Sequence, residues 1–198
     1  AMVPLRPLAV KCGLKRVISS TYQAVSGAGM GGYSDLENGL KGEAPKKFPH
    51  PIAGNVLPQI DVFLDTGYTK EEQKMIDETR KILELPTLRV TATTVRVPVF
   101  HGHSESINVE LEKPYEIADI RKIWEGTEGL IVQDDPEKGI YPMPINAADT
   151  DPVYVGRLRR DFSVENGINF WCVADNIRKG AATNAVQIAQ ELIRQWEA

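Results

Sequence analysis

The stretch Thr94-Val95-Arg96-Val97-Pro98-Val99-Phe100-His101-Gly102-His103-Ser104-Glu105-Ser106 decides how the chain is read. It joins two runs with the period of a strand. Upstream, Leu88, Val90, Ala92 and Thr94 share one face, while Arg89 and Thr91 take the other. Arg96 continues the apolar parity, which puts a guanidinium at the end of a face otherwise given to packing. Pro98 interrupts the ladder, because proline has no N–H to donate. Downstream, His103, Glu105, Ile107, Val109 and Leu111 share one parity, and Asn108, Glu110 and Glu112 the other. A permanent cation and an imidazole, seven residues apart, therefore stand at the ends of two inward strand faces.

Pattern leaves each of these residues with two readings. An inward histidine is either a hydrogen-bonded core residue or part of a site. An inward arginine needs a carboxylate, since burying an unpaired charge costs several kcal/mol. That carboxylate belongs either to the protein or to a ligand.

Upstream of this stretch, the clearest helix is expected over residues 70–83. Thr69 is its N-cap and Glu72 lies three residues on, which is a capping box. Met75, Ile76, Thr79, Ile82 and Leu83 make its apolar stripe. Glu71 and Lys74 lie on its flank, where the ordinary reading is a solvent-facing salt link. Residues 14–24 read as a strand running into Val25-Ser26-Gly27-Ala28-Gly29, whose small residues allow positive φ or close approach to a ligand. Residues 31–51 are polar, with a short helix expected over 35–40, and residues 52–66 make an irregular apolar connection. Residues 1–13 read as the body of a helix stopped by Gly13, with no capping residue before it. The expectation is a chain that begins inside an element, a piece of something longer.

Downstream, the pattern predicts a short amphipathic helix over 117–124 and a brief strand at 129–133. A loop over 134–151 carries Pro136, Pro142 and Pro144. Strands at 153–159 and 168–174 are joined by a polar turn over 163–167, as in a hairpin. A last helix is expected from near Asn176 to the end. Its first turns are small (Gly180, Ala181, Ala182), so another backbone could pack closely there. Helices and strands alternate irregularly. The expected fold is α+β, one domain over residues 1–198, with a mixed, largely antiparallel sheet and helices on one face.

Composition narrows the classes. The 198 residues are 42% hydrophobic and 25% charged, with a net charge of -4, as in an ordinary globular domain. No basic cluster points to nucleic acid, and Lys46-Lys47 reads as a solvated loop. No apolar run approaches the ~18 residues that span a membrane. Cys12 and Cys172 make neither a disulfide framework nor a metal-ligand spacing, and a cytoplasmic location is the default. There is no Gly-rich dinucleotide fingerprint, phosphate-binding loop, metal cluster or nucleophile elbow.

Four stretches in order carry a resemblance to a known family: Ser20-Thr21-Tyr22-Gln23-Ala24-Val25-Ser26-Gly27-Ala28-Gly29, Glu71-Glu72-Gln73-Lys74, Val95-Arg96 through His103-Ser104-Glu105, and Ala174-Asp175-Asn176-Ile177-Arg178-Lys179-Gly180-Ala181-Ala182-Thr183-Asn184-Ala185-Val186-Gln187-Ile188. Together they resemble the C-terminal catalytic and dimerisation domain of bacterial aspartate-β-semialdehyde dehydrogenases. The resemblance implies a fold like the C-terminal domain of glyceraldehyde-3-phosphate dehydrogenase. It also implies NADPH-dependent reduction of L-aspartyl-β-phosphate to the semialdehyde, the branch step towards lysine, methionine and threonine.

By resemblance, Arg96 takes the substrate carboxylate, Glu71 faces its ammonium group and Lys74 helps hold phosphate. Gln23 orients the acyl group, and His103 is the acid/base. Ser26, Gly27 and Asn176 match positions that touch NADP, and a homodimer is implied. The family's nucleophilic cysteine motif and its NADP-binding domain are not in this sequence, so residues 1–198 alone are expected to be inactive. Two other readings stand beside this one. One is a related acyl-phosphate reductase, such as N-acetyl-γ-glutamyl-phosphate reductase, and the other is a non-catalytic dimerisation or ligand-binding module.

Overall fold

The computed structural model describes residues 1–197. In chain order the elements are α1 (Met2–Cys12), β1 (Leu14–Gln23), α2 (Met30–Gly39), α3 (Lys70–Leu83), β2 (Arg89–Arg96), β3 (His103–Leu111), α4 (Ile117–Glu125), β4 (Leu130–Val132), α5 (Pro144–Ala147), β5 (Val153–Asp161), β6 (Gly167–Ala174) and α6 (Thr183–Trp196). The six strands form one sheet in the order β2-β1-β3-β6-β5-β4. The β1/β3, β3/β6 and β5/β6 pairs are antiparallel, and β1/β2 and β4/β5 are parallel. The sheet is mixed and largely antiparallel, as the alternation predicts.

One face of the sheet carries the core. Val17, Ile107, Val109, Ile168 and Phe170 pack there against Leu5 and Leu8 of α1, Leu83 of α3, and Ile120 and Trp124 of α4. Trp124 meets Phe170 edge to face at 4.9 Å, a geometry worth about 0.5–1.5 kcal/mol beyond burial alone. Among the described residues the opposite face carries no long helix, and Tyr22 stacks obliquely on Trp171 there at 5.2 Å.

Helix α3 starts as the capping box predicts: Thr69 accepts from the Glu72 amide, and Glu72 accepts from the Thr69 amide at 2.8 Å. The buried Glu72 carboxylate also accepts the Thr94 amide at 2.9 Å, which ties the first turn of α3 to β2. The stripe departs from the expected one. The buried positions are Glu72, Ile76, Thr79 and Leu83, whereas Ile82 is exposed and Met75 half-buried on the shoulder. The polar-looking side of the first turn faces inward because it meets backbone amides there.

Three other boundaries shift. Helix α2 begins at Met30 and ends at Gly39, so it starts five residues before the short helix expected over 35–40. Residues Val25–Ala28 form a 3₁₀ turn closed by Gly29, which takes positive φ where Gly27 does not. The last helix is split: Arg178–Ala182 is a π-helical turn and α6 begins only at Thr183, after Asn176. No backbone packs against Gly180 among the described residues, since an added Cβ would meet only Asn176.

Candidate active site

The topology gathers the predicted residues at one end of the sheet. Strand β2 runs parallel to β1 with Gln23 opposite Arg96, so both strands finish at that end. Antiparallel β3 begins there at His103, and β6 finishes there at Ala174, directly opposite His103. The segment after β6 therefore delivers Asp175 and Asn176 to the same place. The first turn of α3, tied to β2 by Glu72, brings Glu71 and Lys74. Strand polarity thus makes a cluster from residues up to 153 positions apart, Gln23 and Asn176.

The connection between β2 and β3 is pinned to the end of β1. Val97 donates to Gln23 O, Val25 to Val99 O and Ser26 to Phe100 O, so Pro98 costs the sheet no ladder bond here. Gly102 has φ 85°, and an added Cβ would lie 3.1 Å from Pro144. Only glycine fits both demands. Its amide donates to Asn176 Oδ1 at 3.1 Å.

Arg96 is buried, with 5% exposure. One guanidinium nitrogen donates to Ala24 O at 2.7 Å, and the group stands over the Phe48 ring at 5.9 Å. Among the described residues no carboxylate forms an ion pair with it. Burial lowers its pKa, and Glu71 opposes that shift. A guanidinium has five N–H donors, and one of them is spent on Ala24. The others are left for groups in the cavity that Arg96 lines.

Gln23 Nε2 donates to Glu71 Oε1 at 3.4 Å, and Lys74 Nζ lies 3.5 Å from Glu71 Oε2. The salt link expected on the flank of α3 is present. Its carboxylate, however, is also turned towards Gln23 and the cavity.

His103 Nδ1 accepts the Ala24 amide at 3.1 Å. Burial, followed by the neighbouring Arg96, pushes its pKa down to about 3 against the opposing pull of Asp175. Gly27 forms the floor between the two groups: an added Cβ would lie 2.9 Å from an Arg96 guanidinium nitrogen and 3.2 Å from His103 Nε2.

Gln23, Gly27, Glu71, Lys74, Arg96 and His103 all line one open cavity of about 580 Å³. His103 also borders a second cavity of about 420 Å³ with Asn176, Lys179 and Gly180. Ser26 and Asn176 are hydrogen-bonded to each other at 3.0 and 3.1 Å and join the two sides.

Periodicity missed part of this wall. Lys47 and Phe48 line the larger cavity, whereas Lys46-Lys47 reads from sequence as plain solvated loop. The cause is Asp35. Its buried carboxylate accepts the backbone amides of Lys46, Lys47 and Phe48, each at 2.8 Å, and folds the loop over the site. A single aspartate on a short helix carries no sequence signal for that contact.

Neither cysteine is placed as a nucleophile. Both are buried and free, and burial pushes the Cys172 thiol up to about 11. Among the described residues no group of three or more His, Cys, Asp or Glu could hold a metal ion, and no helix is long and apolar enough to cross a membrane.

Comparison with known proteins places the family and the fold. A family model described as "Semialdehyde dehydrogenase, dimerisation domain" matches residues 5–179. The aspartate-semialdehyde dehydrogenase of Aquifex aeolicus is 54% identical over 201 residues, covering 98% of this chain and 59% of that protein. The enzyme of the same name from Campylobacter jejuni is 47% identical, covering 94% of this chain and 57% of that protein. The crystal structure of aspartate semialdehyde dehydrogenase II complexed with ASA from Vibrio cholerae superposes with a TM-score of 0.92 at 44% identity, covering 98% of this chain and 59% of that one. The chain thus spans somewhat under three fifths of the length of the relatives it matches, and it belongs to the semialdehyde dehydrogenase dimerisation-domain family.

Proposed function

We propose that this chain supplies the substrate-binding, proton-handling and pairing part of an aspartate-semialdehyde dehydrogenase, which reduces L-aspartyl-β-phosphate to L-aspartate semialdehyde in the cytoplasm. The observation that carries the reading is Arg96. It is a buried guanidinium that forms no ion pair with a carboxylate among the described residues, and it opens on the cavity that holds Glu71, Lys74, Gln23 and His103.

The substrate has an α-carboxylate, an α-ammonium and a phosphate, so it needs a fork, an anion and a cation. Arg96 can give a carboxylate two parallel hydrogen bonds, which a lysine cannot. The Glu71 carboxylate takes the ammonium, and Lys74 leaves its link with Glu71 to share the phosphate charge. Gln23, held against Glu71, orients the acyl group. His103 meets the oxygen of the acyl centre and handles its proton. A cysteine thiolate forms the acyl-enzyme bond in this chemistry. Cys12 and Cys172 are too buried to supply it, so residues 1–198 alone are expected to bind without turnover.

NADPH, when bound, supplies the hydride. A fungal relative, the Candida albicans aspartate semialdehyde dehydrogenase, was solved with NADP at 25% identity and a TM-score of 0.72. The smaller cavity suits one edge of such a cofactor. Its wall near His103 is polar and unobstructed at Gly180, and the Asn176 amide is held there by Ser26. Ser26 and Asn176 would hold the cofactor edge, and Gly27 would let it approach His103. The sheet face that only the short α5 touches among the described helices, with Tyr22 and Trp171 on it, suits a second copy of the chain, so a homodimer is expected, in keeping with the description of the family.

The test is Arg96→Lys in the full-length enzyme. Losing the fork should raise KM for the aspartyl substrate on the order of 10- to 100-fold, equivalent to about 1.5–3 kcal/mol for charged hydrogen bonds. An unchanged KM would make Arg96 structural and sink the assignment.

A further inference from the structure

We infer that His103 works as a neutral imidazole that presents Nε2–H to the cavity, its tautomer fixed by the backbone amide of Ala24. The inference rests on the reading of His103 as the group that meets the acyl oxygen and says which form of it does the work.

The argument is one of hydrogen-bond capacity. The Ala24 amide has a hydrogen to give, and His103 Nδ1 receives it at 3.1 Å. A ring nitrogen that accepts carries no proton, so in the neutral ring the proton is on Nε2. The Ala24 amide is available because the ladder ends one residue earlier, where Val97 donates to Gln23 O. The Ala24 carbonyl accepts from Arg96 at 2.7 Å, so one peptide neighbourhood holds both principal side chains. The Nε2–Cε1 edge of the ring lies over Gly27, beside the guanidinium. Nε2–H and the free donors of Arg96 therefore face the same gap.

A second proton would have to go on Nδ1, head-on to the Ala24 N–H. The charges around the ring also oppose it. Arg96 from β2 repels a cation, and burial outweighs the attraction of Asp175 after β6. Glu71 and Lys74 from α3 share the cavity as a linked pair, and Glu105 on β3 takes the Ser19 hydroxyl at 3.1 Å. The resting site thus offers a donor to an acyl oxygen and no acceptor at that atom. A preorganised neutral donor of this kind stabilises charge as it develops on the oxygen. In this form Nε2 takes no proton from a thiol and the ring has no second proton to give, so His103 acts on the acyl oxygen by donating a hydrogen bond.

The test reads the ring directly. Long-range ¹H–¹⁵N correlation of the uniformly ¹⁵N-labelled chain, across about pH 5 to 8 where an ordinary histidine changes charge, should show His103 with a protonated Nε2 and a bare Nδ1 throughout. A protonated Nδ1, or an imidazolium anywhere in that range, overturns the inference. Ala24→Pro removes the amide donor where φ is -62° and proline fits. It should mix the tautomers or bring the ring's titration into the range. A substituted chain that keeps a pure Nε2–H spectrum shows that Ala24 does not set the tautomer. If that variant does not fold, the spectrum of the unsubstituted chain still decides on the neutral ring. None of these readouts depends on turnover. An unchanged KM in Arg96→Lys would sink the functional assignment and leave the tautomer standing.

Discussion

Helices α3 and α6 are each 14 residues long and each carries an apolar stripe at helical spacing, yet α3 is built into the molecule and α6 buries no residue. In α6, Ala185, Ile188, Ala189, Leu192, Ile193 and Trp196 share a face, and Ile188 remains 54% exposed. In α3, the buried face holds two polar residues among four, Glu72 and Thr79. The contrast separates two things that periodicity mixes. Spacing says that a helix forms and which side is apolar; whether that side is covered depends on what stands opposite. Helix α3 stands opposite β2 and α1, with Arg6 of α1 donating to Leu83 O at its last turn. Among the described residues, α6 stands opposite no comparable layer.

The sharpest break of this comparison is a cavity under α3. Ile76→Ala should destabilise the chain by about 2–4 kcal/mol in urea unfolding. A loss as small as that of a surface substitution would mean that α3 is held only by its ends.

Next in size is the polar anchor. Glu72→Gln keeps one acceptor oxygen and loses the other, so either the Thr69 or the Thr94 amide is left buried without a partner. The expected cost is about 1–3 kcal/mol. The same unfolding experiment on Glu72→Gln should also show weaker ligand binding, because Glu71 and Lys74 ride on that turn. Lost stability with intact binding would separate the anchor from the site.

The sequence made the strands and the α3 cap readable because their signals are local: alternation over 88–97 and 103–111, and Thr69 with Glu72 three residues apart. The inward parity of Arg96 and His103 was readable for the same reason. Their meeting with Asn176 was not, since it depends on how β1, β3 and β6 are ordered and which way each one runs. The buried side of Glu72 was hidden because its partners are backbone amides, which every residue has. Lys47 and Phe48 were hidden behind Asp35 in the same way.

That loop gives a smaller, local test. Burial alone would raise the Asp35 carboxyl, but the backbone N–H groups of Lys46, Phe48 and Lys47 outweigh it and hold the pKa below the ordinary value. A folded pKa below the unfolded one means the contribution is complete above the ordinary aspartate range and is lost as pH falls through the lower folded value. Hydrogen exchange of the amides at 46–48 should stay protected at neutral pH and open in acid before the β3 amides do. Asp35→Asn should open them at neutral pH by about 1–2 kcal/mol, since an amide cannot accept all three bonds. Equal protection in the variant would show that the loop is held by Phe48 packing instead.

The smallest expected effect is on α6, and it tests the comparison from the other side. Ile188→Ser removes a branched apolar side chain from a face that no other element covers among the described residues, so the unfolded and folded chains hydrate that position almost alike. The change should stay within about ±0.5 kcal/mol, as for surface positions generally. The same substitution in a full-length relative measures what the face is for. A much larger loss there would mean that the remaining two fifths of the protein supplies the layer opposite α6. A loss as small as in the chain alone would mean that the stripe is solvated in the whole enzyme too. In that case the apolar spacing of α6 would reflect helix formation and not docking.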